Sequence, residues 1–116
     1  MSAIRAARDR LAESLATSGV RVITDIGRSP DVPCLMIPLP TLNYDVYAPG
    51  PTTASFRVGL AVSADDRTGE QLFELLTAVE QAVYDSEDAA MTGPAEPGSW
   101  GTPPLPCYLL TIEVSV

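Results

Sequence analysis

The sequence lacks histidine and lysine altogether, and its seven basic residues are all arginines. Histidine is the commonest general base in enzymes, and lysine supplies both the Schiff-base nucleophile and the phosphate-binding residue of the P-loop. Two cysteines without histidine do not form a zinc site, and a cysteine nucleophile would lack its usual base. We therefore expect no catalytic residue, no cofactor and no metal, and we predict that the protein is not an enzyme.

Other ligand-binding signatures are missing as well. The sequence has no EF-hand pattern, and the segment 98–101 has neither the spacing of a nucleotide-binding fingerprint nor a helix after it. Asp65–Asp66 and Asp85–Asp88 could attract a divalent cation, but such acids usually lie at solvated helix ends. No pair of carboxylates is singled out for acid–base chemistry.

Long hydrophobic runs are also absent. The longest, Cys34–Leu39, contains Pro38 and is far too short to span a membrane. The N-terminal segment is charged where a signal peptide would need an apolar core, so we expect neither a membrane segment nor an export signal. Cys34 and Cys107 are then expected to be buried thiols, although a disulfide is possible if their strands are neighbours.

The net charge of −8 is unevenly distributed. Residues 1–28 hold five arginines and three acids, whereas residues 65–96 hold nine acids and one arginine. A basic front and an acidic back suit head-to-tail contacts between identical subunits. The alternative is an acidic helix face that simply keeps a monomer soluble. A nucleic-acid-binding surface is disfavoured, because no basic stripe with stacking aromatics is present.

The chain is organised around residues 55–85. Apolar residues alternate with small or polar ones at Phe56, Val58, Leu60 and Val62, which predicts a strand with one apolar face. A helix follows, with an apolar stripe that predicts packing against this strand. The stripe comprises Leu72, Leu75, Leu76, Val79 and Val83, with Ala82 beside it. The opposite side carries Glu70, Glu74, Gln81 and Asp85.

The remaining elements complete one domain over residues 1–116. Ser2 suits the N-cap of a first helix, and Gly19 suits its C-terminal end. Strands are predicted at Val20–Thr24, Cys34–Ile37, Tyr44–Tyr47, Ser55–Ser63 and Tyr108–Val116, with a turn at Ala48–Thr53 and a long loop at 86–106. The order α-β-β-β-β-α-β predicts an α+β two-layer sandwich. Its sheet should be mostly antiparallel, with four to five strands and both helices on one face.

Three aromatic residues are candidates for contacts with other molecules. Phe73 and Tyr84 project about 100–120° from the centre of the helix stripe, so they flank the core face. They either cover the margin of the sheet or dock against another subunit. Trp100 lies in the predicted loop, and large aromatics in irregular segments often anchor interfaces.

The order and spacing of several segments resemble a known family. These segments are Met1–Leu11, Gly19–Val22, the turn containing Asp25, Asp31–Cys34, Pro38–Asp45 and Val62–Arg67 before the Leu-rich helix. The sequence is similar in this order to the tail terminator proteins of long-tailed, siphovirus-type phages, especially those of actinobacterial hosts. The resemblance runs from about residue 3 to residue 116, and only the 86–106 segment has no counterpart.

The resemblance implies a structural role in the virion. Tail terminators form a six-membered ring on the head-proximal end of the tail tube, stop its polymerisation and present a surface to the connector or stopper proteins of the head and neck. The expected partners are thus further copies of the chain, the tail tube protein and the neck. DNA passes through such a ring without specific binding. The expected location is the virion tail, after assembly in the host cytoplasm.

The resemblance also gives meaning to particular residues. A channel for DNA benefits from negative charge, so we expect Asp65, Asp66, Glu70 and Glu74 to face it. Arg5, Arg8 and Arg10 of the first helix should contact neighbouring subunits. Axial contacts are expected from the long loop and from the hairpin at 44–53, which includes Tyr44, Asp45 and Tyr47.

Two other interpretations of the sequence remain open. The protein could be another neck, head–tail joining or tail tube protein of the same virion, because related folds occur there. It could also be a small ligand-binding α+β domain that uses the 86–106 loop as a lid. Stabilisation by a small metabolite would favour the ligand-binding domain, whereas assembly into a ring would favour a virion protein.

Overall fold

A computed structural model describes residues 2–24, 32–47, 49–65, 67–100 and 104–116. These residues form two helices and six strands. In chain order they are α1 (Ala3–Ala16), β1 (Arg21–Ile23), β2 (Cys34–Met36), β3 (Thr41–Tyr44), β4 (Pro51–Ala61), α2 (Thr68–Tyr84), β5 (Ala89–Trp100) and β6 (Leu105–Ser115). The predicted α+β class is confirmed, with one strand more than expected. Asp66, Ala48 and the turn containing Asp25 lie outside the described residues.

The first helix begins and ends where the sequence predicts. The Ser2 hydroxyl accepts a hydrogen bond from the backbone N–H of Arg5 at 3.3 Å, which satisfies one of the free donors of the first turn. Gly19 has a φ of +84°, a conformation that favours glycine, and it redirects the chain into β1. The buried face of α1 consists of Ala7, Leu11 and Leu15.

The sheet has the order β1-β2-β4-β6-β5, and β3 pairs with β4 beside this path. Residues 34–36 of β2 pair with residues 59–61 of β4, and residues 41–44 of β3 pair with its first residues. Strands β2 and β3 therefore lie end to end along one edge of β4, while β6 occupies the other edge. All of these pairs are antiparallel except β1–β2, which is parallel.

Both helices pack on one face of the sheet, as predicted. The central strand contributes three fully buried side chains, Phe56, Val58 and Leu60, and the equally buried Val62 follows its last residue. The apolar stripe of α2 and the buried face of α1 complete the same cluster. Within the described residues no polar or charged side chain is buried, so the interior of this layer consists of apolar side chains.

A second, smaller apolar cluster covers part of the opposite face. Cys34, Met36, Ala61 and Cys107 are its buried members, and Trp100 packs against them. The Trp100 ring lies directly over Gly59: a Cβ atom built at Gly59 would stand 2.7 Å from Cε3 of the indole. Any side chain at residue 59 would therefore collide with the tryptophan.

The two cysteines lie on either side of the same residue. Cys34 on β2 and Cys107 on β6 both pair with Ala61 of β4. Two strand spacings separate them, roughly 10 Å, whereas a disulfide requires Cα atoms within about 7 Å. Both are buried and they form no disulfide, as the sequence favoured.

The predicted loop at 86–106 is wrong over most of its length. Residues 89–100 form β5, which pairs with β6 from Ala89–Val114 to Trp100–Leu105. The register shifts between Thr92 and Glu96, and Gly93 has a φ of +68° at this bulge. Glycines and prolines concealed the strand, because they are tolerated at a sheet edge with a bulge.

The hairpin is also displaced from its predicted position. Strand β3 ends at Tyr44, where the sequence suggested that a strand begins, and β4 begins at Pro51, inside the predicted turn. Pairing with β4 fixes this register, which a four-residue apolar pattern does not reveal.

Candidate interaction surfaces

Large apolar side chains are exposed in two regions of the described chain. Four lie between β2 and β4, and two lie on α2. They are Leu39, Tyr44, Val46, Tyr47, Phe73 and Tyr84. Clustered exposed apolar side chains mark contacts with other molecules more reliably than isolated ones do.

The first surface is the turn of the β3–β4 hairpin. We call Tyr44, Val46 and Tyr47 the hairpin surface; their exposed fractions are 64%, 88% and 95%. The base of the hairpin is held by the Asn43 side chain, which donates hydrogen bonds to Thr53 and Ser55 at 3.0 and 3.3 Å. These bonds hold the base from which the hairpin surface projects.

A cavity of about 230 Å³ lies beside the start of this segment. We call it the arginine cavity; it is lined by Ser2, Ile4, Arg5, Arg8, Thr24 and residues 37–40. Most of its lining is apolar, and the two guanidinium groups come from successive turns of α1. The cavity therefore combines a mostly apolar lining with two arginines.

The three predicted contact arginines have different surroundings. Arg8 pairs with the adjacent Asp9 at 3.1 Å, and within the described residues Arg5 forms no ion pair. Arg10 donates a hydrogen bond to the carbonyl oxygen of Ser115 at 2.9 Å and pairs with Asp88 at 3.3 Å. Arg10 thus ties α1 to the end of β6 within its own chain, whereas Arg5 is available to a partner.

The third surface lies along α2. Phe73, Glu80 and Tyr84 recur at seven and four residues, so they share one side of the helix, which we call the α2 flank. Phe73 is 60% exposed and Tyr84 is 85% exposed, so they do not cover the sheet margin. Val83 and Tyr84 line a shallow groove with residues 89–91, which places the flank on the β5 side.

The predicted channel-facing acids lie on the outer side of α2 and just before it. Asp65, Glu70 and Glu74 are all exposed. The Asp65 carboxylate accepts a hydrogen bond from the backbone N–H of Arg67 at 2.8 Å and shapes the turn into the helix. Glu70 lies 3.9 Å from the Arg67 guanidinium, so part of its charge is compensated.

Trp100 is not an exposed anchor. It is half-buried in the cluster on the far face of the sheet, beside Leu105 and Leu109. The expectation that it contacts another molecule arose from its supposed place in a loop. In the structure its ring covers the sheet over Gly59, beside the small side chain of Ala61.

The predicted residues therefore separate into distinct surfaces. Tyr44 and Tyr47 lie together with Asp45, Arg5 lies with Arg8, and Phe73 lies with Tyr84. Sequence reasoning missed Leu39, Val46 and Glu80, although an apolar residue among turn residues is a signal for the first two. No group of three or more potential metal ligands occurs in the described chain, and none of its helices is long and apolar enough to cross a bilayer.

No family model matches the sequence, and no curated protein matches it.

Proposed function

We propose that the protein is a structural virion protein, a phage tail terminator that forms a ring on the tail tube. The ring would end tube polymerisation and join the tail to the connector or stopper of the neck. The sequence resemblance supports this proposal, and so does the α+β sandwich with both helices on one face, which is the fold that the resemblance implies.

The observation that carries the proposal is the hairpin surface. Val46 and Tyr47 lie at the turn between β3 and β4, and they are 88% and 95% exposed. The protein measures 51 × 28 × 23 Å. Exposed apolar side chains are costly in solution and are retained where a partner covers them. We assign this surface to the axial contact with the tail tube.

The acids suit the wall of a DNA channel. We orient the subunit with its hairpin surface pointing along the ring axis. In that orientation we assign the outer side of α2 to the wall of the channel. Glu70 and Glu74 then give the channel negative charge, which keeps DNA from adhering. A ring whose lumen is basic would contradict this assignment.

The two alternative functions, another virion protein and a ligand-binding domain, are supported by different observations. A neck or tail tube protein of the same virion shares the fold and the exposed surfaces, so only the partner distinguishes it. The ligand-binding reading relied on a loop lid at 86–106, and residues 89–100 form β5 instead. Its remaining support is the arginine cavity, and a thermal shift with small anionic metabolites tests it.

The proposal is tested by adding the protein to polymerising tail tube protein and measuring tube length by electron microscopy. We expect short tubes with a ring at one end. The double variant Val46→Ser/Tyr47→Ser should lose this effect and stay folded, because both side chains are exposed. Removing residues 48–53 is less suitable, since it also deletes the first residues of β4.

The matched control is Val46→Ile/Tyr47→Phe, which keeps the apolar surface and should still cap tubes. Tubes that grow to the same length with and without the native protein would refute the terminator proposal. Capping by the serine variant would refute only the assignment of the hairpin surface.

A further inference from the structure

We infer that neighbouring copies in the ring meet through the α2 flank of one copy and the arginine cavity of the next, with Tyr84 in the cavity and Glu80 against Arg5. This inference rests on the proposed function and deepens it, because it assigns the two surfaces through which one copy binds another.

The two surfaces lie on opposite edges of the sheet. The arginine cavity is bounded by Thr24, directly after β1, and by residues 37–40, which join β2 to β3. The α2 flank borders the start of β5, the last strand on the other side. A ring of identical subunits requires unlike surfaces on opposite sides of each subunit, and this arrangement supplies them.

The two surfaces also lie at the same level. Thr41, Ser55, Glu113 and Ala90 form one row of paired residues across β3, β4, β6 and β5. Pro40 of the arginine cavity precedes the first residue of this row, and the last residue lines the groove beside Tyr84. A contact between successive copies therefore runs sideways, without a step along the axis that would produce a helical filament.

The cavity has room for an aromatic side chain. An apolar cavity of roughly 150 Å³ accommodates benzene, and the arginine cavity measures about 230 Å³. Its apolar lining includes Ile4, Ile37 and Leu39, and Leu39 is 82% exposed. Tyr84 is 85% exposed, so insertion into the cavity would remove apolar surface from water on both copies.

The charges beside these apolar groups are complementary. Glu80 lies one helical turn before Tyr84, and Arg5 is one of the residues that line the cavity. Within the described residues neither Arg5 nor Glu80 forms an ion pair. Glu80 is therefore complementary to Arg5 in charge and in position relative to the apolar contact, and both lack an ion-pair partner among the described residues.

The same complementarity identifies a second copy as the occupant. Residues 65–96 carry a formal charge of −8 and residues 1–28 carry +2, so the α2 side of one copy attracts the α1 side of another. Two α2 flanks would instead place Glu80 against Glu80. The charges thus favour the head-to-tail contact over a symmetric dimer.

The experiment measures self-association by sedimentation velocity from micromolar to millimolar concentration. Tyr84→Ser and Arg5→Glu should each weaken self-association at least about tenfold, because each removes one half of the contact. Mixing the two variants should give 1:1 dimers that grow no further, since each keeps the surface that the other has lost. The double charge reversal Arg5→Glu/Glu80→Arg in one chain should restore association.

Two controls separate this contact from the axial one. Glu74→Arg makes the charge change of Glu80→Arg, but on the outer side of α2. Tyr47→Ser removes an exposed tyrosine from the hairpin surface and leaves the α2 flank intact. Both variants should associate like the native protein. A native protein that stays monomeric at millimolar concentration would overturn the inference, as would unchanged association of Tyr84→Ser. If the mixing experiment succeeds and tubes are not capped, the contact stands and the terminator proposal fails.

Discussion

Gly59 allows a tryptophan to pack directly against the backbone of the central strand. The alternating pattern of residues 55–63 predicts a strand at Gly59, whereas the glycines and prolines of 86–106 predict a loop at its partner Trp100. The pair is separated by more than forty residues in sequence, and no local periodicity links them. Only the pairing of β5 with β6 brings the indole over the glycine.

We predict that Gly59→Ala destabilises the protein by about 1–3 kcal/mol, because its Cβ would meet the Trp100 ring at 2.7 Å. Urea unfolding followed by the fluorescence of this single tryptophan measures the change. In a Trp100→Ala background, where unfolding is followed by far-UV circular dichroism because the tryptophan is absent, the cost of Gly59→Ala should largely disappear, since the two residues are coupled.

Gly69 provides the matched control. A Cβ at this position in the first turn of α2 has no atom within 4 Å. Gly69→Ala should therefore leave stability unchanged or raise it by up to about 1 kcal/mol. Equal losses for the two glycine variants would show that Trp100 does not restrict residue 59.

Burial raises the pKa of the Cys107 thiol above its ordinary value of 9.0, because the charged thiolate is poorly solvated in the apolar cluster around Trp100. The unfolded chain then loses this proton more readily than the folded protein does. Stability should be independent of this group below pH 9 and should fall as the pH rises above that value. Urea unfolding across this alkaline range measures the effect.

Cys107→Ala removes the titrating group and should flatten that alkaline loss, even if it lowers stability at neutral pH. Alkylation by iodoacetamide gives a second readout. The folded native protein should react much more slowly at Cys107 than the urea-unfolded chain, because the thiol is only 2% exposed. Equal reaction rates would contradict the burial of this residue.

At the scale of whole elements, the sequence predicts the long helix and strand with strong apolar periodicity, but it does not predict β5 at the edge of the sheet. The strand at 55–63 and the helix to about residue 85 have unbroken apolar periodicity, and both are confirmed. Strand β5 has no such pattern, since eight consecutive residues from Thr92 to Ser99 are exposed. It is a strand because β6 offers an open edge, which is a tertiary cause that a local pattern does not contain.

Helix α1 depends on contacts outside its own sequence. It is short, and helices of about this length are marginal alone. Arg10 links it to Ser115 and Asp88. We predict that Arg10→Ala lowers stability by about 1 kcal/mol, a modest value because the side chain is partly solvated. Thermal or urea unfolding measures the loss.

The control for Arg10 is Arg5→Ala, which removes an arginine of the same helix that has no ion pair in the described chain. It should leave monomer stability unchanged. If Arg10→Ala behaves in the same way, Arg10 is free to serve the subunit contact that the sequence first suggested for it.

The whole molecule carries a large negative net charge, yet its two sides carry complementary charges through which one copy attracts the next. Copies that each carry −8 repel one another at long range, whereas the Tyr84 contact is apolar and is not screened. We predict that self-association strengthens as salt rises to physiological concentration, because the Debye length falls from roughly 30 Å at 0.01 M to about 8 Å. Light scattering across salt and magnesium concentrations checks this.

A steady loss of association with salt would mean that the Arg5–Glu80 attraction outweighs the long-range repulsion. Replacing that pair with alanines keeps the net charge of −8 and would then reverse the salt dependence, because only the long-range repulsion remains. The charge asymmetry was visible in the sequence, but its arrangement on opposite edges was not. It depends on which side of α2 faces β5, and therefore on the strand that the sequence concealed.

The position of Cys34 and Cys107 on either side of Ala61 has a consequence for the environments that this protein can occupy. Because the two sulfur atoms cannot meet within one folded chain, transfer from a reducing to an oxidising medium leaves the covalent structure of the subunit unchanged. A particle assembled inside a cell and released from it makes that transfer once. A subunit of the proposed virion would make that transfer without forming an internal disulfide.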